Sequence, residues 1–328
     1  MKKRLRRFIW WSLVPLSLLL VLSFSVTQPL LSSKTPYPKL DIDPFLLRSH
    51  VEALASTSVP RNAENPEGLE EASVYIENVL NEMEIEVSRQ GFETPNGKSY
   101  HNLLWSMGPE TGPRIVVGAH YDVCDNQPGA DDYASGVAGL LELSRMVQKN
   151  QPQLPYRIDF VAYTLEEPPY FRTNYMGSAV HAQALKSASV DVKAMLCLEM
   201  IGYFDATKGS QSYPVGAMKL FYPNRGDFIA VVGKTGKGKL TRQVKRHLRN
   251  GSDIEVRSIN APTVVPGIDF SDHRNYWAAD YPAVMITNTA FYRNANYHEV
   301  TDTPESLDYN RMAEVVKGVY WALVHFDK

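Results

Sequence analysis

The sequence predicts an α/β fold, a three-layer sandwich in which helices flank a central, mostly parallel sheet. Two observations predict it. Short apolar runs such as Ile115-Val116-Val117 and Phe160-Val161-Ala162 alternate along the chain with helix-period segments such as Ala134 to Lys149. Strands alternating with helices build parallel sheets covered on both faces. Polar residues able to do chemistry follow directly after those runs: His120, Glu166 and Glu167, and Glu199. Open sheets of this kind place their sites at the carboxyl ends of strands.

The stretch around which the chain is organised is Gly118 to Gly136, GAHYDVCDNQPGADDYASG. The β-branched run before it reads as a buried strand reaching its end. His120 and Asp122 are two apart, so an extended backbone puts them on one face. A carboxylate beside a histidine fixes the imidazole tautomer for metal binding. The small and then apolar residues from Ala134 to Leu143 suit a helix packed close to a sheet. For the histidine alone, a merely satisfied polar group in a turn is an equal reading.

The chain has 328 residues and 44% hydrophobic content, enough for one large α/β domain or two small ones. A formal charge of -2 leaves no basic footprint for nucleic acid. The N-terminus is different in kind. Met1 to Arg7 holds five basic residues, and Phe8 to Val26 runs for 19 residues without a charge. A helix of that length spans about 30 Å of hydrocarbon, and the basic flank stays on the cytoplasmic side. The expectation is a cytoplasmic tail over 1–7, a transmembrane signal-anchor over 8–26 and an extracytoplasmic remainder, periplasmic or extracellular. Cleavage to a secreted form is the alternative. It needs a small-x-small site, for which Ser23-Phe24-Ser25 is poor. Residues 27–44, with four prolines, read as an extended linker. The two cysteines, Cys124 and Cys197, read as free packed thiols.

Further along, Pro66 to Met83 has apolar residues at helix spacing. Glu84 to Glu93 and Asn102 to Met107 read as strands, as do Tyr156 to Tyr163, Val192 to Met200, Phe228 to Val232, Ile254 to Ser258 and Ala283 to Thr287. Helices are expected around Gly177 to Lys186, Leu240 to Leu248 and Tyr309 to Phe326. Gly233 to Lys239 nearly matches a phosphate-binding loop, but Leu240 stands where the Mg²⁺-holding hydroxyl belongs, so a basic surface turn is the reading.

Imidazole with carboxylate suits zinc. The candidate ligands are His120, Asp132, Glu167, Glu199 and His298. Five ligands with one shared carboxylate make two metal positions, the arrangement that clamps a water and stabilises both oxygens of a displacement. Glu166, left over beside Glu167, is the natural general base. A solvated Glu-Glu pair in a loop is the plain alternative.

In order, GAHYD, PGADDYASGVAGLLEL, FVAYTLEE, MGS, LEMIGY, FSDH and YHEVTDTPE closely resemble the co-catalytic di-zinc aminopeptidases of the aminopeptidase S and aminopeptidase Y type, from about Leu40 onward. The resemblance implies a peptidase domain over 45–328, with a mixed sheet of the zinc-exopeptidase kind. It makes His120 and Glu199 ligands of one zinc and Glu167 and His298 ligands of the other, bridged by Asp132. It makes Glu166 the general base, Asp122 the partner of His120, and Asp272 a carboxylate behind the ligands. It implies a cis peptide at Asp132-Tyr133. Tyr292 and Tyr297 are expected to touch substrate. Tyr170, Phe171 and Tyr175, in a segment longer than in compact relatives, could form a pocket wall; a packed surface loop is the plain alternative. The Glu at 199 is Asp in several relatives.

The implied activity is a membrane-anchored aminopeptidase. It would remove N-terminal residues from peptides through a bridging hydroxide and the glutamate base, with two zinc ions per chain. Glutaminyl cyclases are relatives that use a single zinc. They usually carry a Trp before the last histidine ligand, where this chain has Tyr297, and another after the Glu-Glu pair, where this chain has none from Pro168 to Ser178. A receptor-like ectodomain without catalysis would require lost ligands, and none is missing.

Overall fold

The computed structural model describes Ser17, Val21 and residues 23–327. An eight-stranded sheet runs through the centre, in the order β1-β2-β4-β3-β5-β8-β6-β7. Its strands are β1 (Ser88–Glu93), β2 (Ser99–Met107), β3 (Arg114–His120), β4 (Arg157–Tyr163), β5 (Val192–Glu199), β6 (Phe228–Lys234), β7 (Glu255–Ala261) and β8 (Ala283–Thr287). The four strands β4, β3, β5 and β8 are mutually parallel, and β2 lies antiparallel to β4. Both β6 and β7 run against β8, so the sheet is mixed. The central strands are buried almost throughout, which is why they read as apolar runs rather than as alternation.

Two apolar cores sandwich the sheet. One holds residues of α1 (Pro44–Ala55), α2 (Pro66–Glu82), α3 (Gly136–Asn150), α5 (Gly238–Gly251) and α7 (Tyr309–Val324). The other is formed with α4 (Gly177–Ser187) and α6 (His273–Ala278). The expected layers are therefore present. The alternation pattern did not point to α1 or to the short α6. The Asp43 side chain caps α1 by accepting from Phe45 N, and Pro44 occupies its first turn. Glu84 adopts φ 56° in a turn, so β1 begins at Ser88 rather than at Glu84.

Among the described residues no helix is long and apolar enough to cross a membrane; most of the expected span over 8–26 lies outside them. Residues 23–27 are helical. The segment after them is extended, as expected of a linker, but it lies against the domain. Arg242 stands over the Phe24 ring at 5.9 Å. Lys245 Nζ and Ser258 Oγ donate to Thr27 O. Tyr37 Oη meets His247 Nδ1 at 2.8 Å, and its ring stacks on His325. The strap thus follows α5 from its first turns to its end. The Gly233–Lys239 turn is the link from β6 into α5, with Lys237 and Lys239 exposed.

Candidate metal centre

β3, β4 and β5 end side by side, and each releases polar residues at the same edge of the sheet. His120 is the last residue of β3. Its Nδ1 lies 3.1 Å from the Asp122 carbonyl oxygen and 3.3 Å from Asp122 Oδ1. That contact fixes the ring and leaves Nε2 facing outward, 3.7 Å from Asp132 Oδ1 and 3.8 Å from Glu166 Oε2. Asp122 does a second job. Its two carboxylate oxygens accept from Glu166 N and Glu167 N, so one side chain sets the histidine and the turn that carries both glutamates.

Asp132 sits in the turn Ala130–Ser135 that leads into α3. Gly129 enters this turn at φ 63°, and the Asp132–Tyr133 peptide is cis, as expected. A Cβ at Gly136 would lie 2.1 Å from the Tyr133 ring, so only glycine lets that ring lie across the start of α3. The ring packs in turn on His120, with centroids 3.9 Å apart.

His298 approaches from the loop before α7. Its Nε2 is 3.2 Å from Asp132 Oδ2 and 3.2 Å from Glu167 Oε1. Asp132 therefore stands between the two histidines, one oxygen toward each. Glu199, the last residue of β5, is buried and has Oε2 without a hydrogen-bond partner. Asp272 is fully buried behind the cleft at the start of α6, and neither carboxylate oxygen has a partner.

Electrostatics sharpen the picture. Burial holds the Glu166 carboxyl well above its ordinary range; His120 opposes that shift, and Glu167, Asp272 and Glu199 add to it. Burial, with Asp132 nearby, pushes Glu167 up to about 7, and burial also takes Asp272 to about 7. Several carboxylates crowded in a dry cleft are costly unless a cation joins them. The orphaned Asp132 Oδ2, Glu199 Oε2 and His298 Nε2 are the donor types zinc takes, so the residues present fit a metal centre.

Three supports were not visible in the sequence. The Asp302 carboxylate accepts from Asp131 N and Asp132 N. Asp131 in turn accepts from Gly202 N and from the side-chain amides of Asn288 and Asn294. Arg61 is buried and donates to the carbonyl oxygens of Tyr121, Leu54, Pro128 and Gly129. It thereby ties both ends of the loop between His120 and Asp132.

An apolar cavity opens beside Glu199, lined by Phe228, Ile268, Phe270, Met285, Phe291 and Tyr292 among others. Tyr297 also lines it and stacks on the His298 ring, with centroids 3.8 Å apart. Both tyrosines expected at the substrate thus border it. Of the two readings of the 168–175 segment, the packed loop fits: its aromatic side chains do not line this cavity. Tyr170 packs between Tyr100 and Tyr175, while Phe171 supports Phe270 from behind.

Known proteins share this chain's sequence pattern and its fold. The chain is 46% identical over 300 residues to the uncharacterised protein YfbL of Escherichia coli K12, covering 89% of this chain and 91% of that one. It is 27% identical over 252 residues to leucine aminopeptidase 1 of Ajellomyces capsulatus, covering 72% of this chain and 59% of the relative's length. Among solved structures, the LapA aminopeptidase of Legionella pneumophila superposes with a TM-score of 0.67 at 21% identity, covering 90% of this chain and 77% of that one. The Fimbriiglobus ruber glutaminyl cyclase superposes at 0.63 with 18% identity, covering 89% and 98%. At such identities these two show the shared fold. The sequence pattern of "Peptidase family M28" matches residues 102–322, from β2 into α7, a span that includes every residue of the cleft except Arg61, and on that ground the chain belongs to peptidase family M28 and is a hydrolase.

Proposed function

We propose that this chain is a zinc aminopeptidase that removes single residues from the free N-terminus of peptides. The observation that carries the reading is Asp132, placed between His120 and His298 with the Glu166 carboxylate beside it. His120 and Glu199 would hold one zinc ion, Glu167 and His298 the other, and Asp132 both. Bound zinc would supply Lewis acidity toward the scissile carbonyl and toward water. The chain's own residues supply the rest. Glu166, whose carboxyl is raised by burial, accepts the proton as water adds to the carbonyl. It then returns that proton to the departing amine. Asp122 holds His120 and the glutamate turn in register while this happens. The apolar cavity beside Tyr297 receives the first side chain of the peptide. Two features speak against the cyclase reading: Tyr297 stands before His298, and no Trp occurs from Pro168 to Ser178.

The basic stretch of Met1 to Arg7 and the 19 uncharged residues after it support single-pass anchoring, with the catalytic domain outside the cytoplasm. The deciding experiment is metal analysis of the purified full-length chain beside an assay on leucyl, phenylalanyl and glutamyl amides. Two equivalents of zinc and faster release from the apolar amides are expected. A fully metal-loaded protein that leaves all three amides intact while cyclising N-terminal glutamine would overturn the proposal.

A further inference from the structure

Cys124 lies four residues past His120, on the loop that leads to Asp132. Its thiol is free and buried. Its Sγ, a Glu167 carboxylate oxygen and a His298 ring nitrogen all lie within 4.8 Å of one another. Donors at such separations can share one ion, because zinc binds sulfur at about 2.3 Å and imidazole nitrogen at about 2.0–2.1 Å. An independent sign points to a cation at the same place. Asp132 is 2% exposed, and its Oδ2, which faces His298 Nε2 at 3.2 Å, has no hydrogen-bond partner.

The roles argued above for the cleft use only nitrogen and oxygen donors and leave this sulfur without work. We propose that Cys124 supplies a thiolate ligand to the metal held by Glu167 and His298. The two metal positions are then chemically unequal: one has a sulfur donor, and the other, at His120 and Glu199, has none. The S–H bond breaks as the sulfur–metal bond forms, and the proton leaves to the buffer. A soft sulfur donor favours zinc over magnesium or manganese at that position. Cys197 supplies an internal control, since its Sγ is buried elsewhere, 3.1 Å from Ser271 Oγ.

The inference rests on the metal-centre reading, and cobalt(II) separates the two. The full-length chain is stripped with a chelator, reloaded with cobalt and followed by absorption. Visible ligand-field bands report binding of the ion; a near-ultraviolet sulfur-to-cobalt charge-transfer band reports a thiolate ligand. Both are expected in the wild type and in Cys197→Ser. In Cys124→Ser the ligand-field bands should persist while the charge-transfer band disappears, and one of the two ions should be held at least about tenfold more weakly. Iodoacetamide gives a second measurement: alkylation of Cys124 should be blocked by zinc and restored by chelator. Ligand-field bands without a charge-transfer band in the wild type, or alkylation indifferent to zinc, would overturn the cysteine assignment and leave the metal centre standing. Absence of any cobalt binding would overturn both.

Discussion

Glu166 and Glu167 are adjacent in sequence and meet different neighbours. Their backbone N–H groups are held by the same Asp122 carboxylate. Yet Glu166 Oε2 turns toward His120, while Glu167 Oε1 turns toward His298. Glu166→Gln keeps size and polarity and removes only the base. It should keep its zinc and lose about 10²–10⁴ in kcat. Glu167→Gln should lower zinc content instead, with part of the activity recovered by added metal. Metal analysis beside kcat decides between them, and equal small losses from both would remove the division of labour. The pair stood out in the sequence because both residues follow closely on an apolar strand and sit in a contiguous motif. Cys124 was legible only as a packed thiol, because its partners Glu167 and His298 come from two other loops.

At the level of elements, the Ala130–Ser135 segment is a π-helical turn broken by a kink at Asp132 and Tyr133, so beyond the Ala134 N to Gly129 O bond its backbone leans on side chains from far along the chain. Asp302 accepts from Asp131 N and Asp132 N across a separation of about 170 residues. Removing it leaves buried N–H groups unpaired, at a cost of about 1–3 kcal/mol each. Asp302→Ala should therefore lower the denaturant midpoint and weaken metal retention under chelator competition. A variant with unchanged midpoint and retention would show that the turn holds itself. Nothing local marks such a residue: the sequence shows an aspartate in a polar loop, and its value lies in a turn it does not neighbour. Arg61, Asn288 and Asn294 escaped notice for the same reason. Strands fared better, and β8 was expected at its observed bounds, Ala283 to Thr287, since a fully buried strand is a continuous apolar run. The strands beyond it, β6 and then β7 at the sheet edge, were expected as strands but without direction, because an apolar run does not encode which way it points.

For the whole molecule, acid is the condition to test. His181 and His273 are buried neutral in the folded chain, and desolvation lowers each to about 4. In the unfolded chain a histidine takes its proton near 6.5. Between those values the unfolded state binds more protons, so stability is full above about pH 6.5 and falls as pH drops toward about 4. Each such group contributes at most about 1.4 kcal/mol per pH unit. Chemical denaturation across this window should show a shallower decline for His181→Gln than for the wild type; parallel profiles would refute the assignment. The strap along α5 also fixes where the N-terminal segment meets the domain. β6 runs against β8, so the first turns of α5, where Arg242 covers Phe24, lie at the end of the sheet away from the metal cleft. If the preceding segment is embedded as proposed, the domain stands on its far end like a cup on its base, with the mouth turned to the open solution. Peptides would then be met from the bulk rather than gathered off the bilayer, and a substrate itself buried in the lipid would be out of reach.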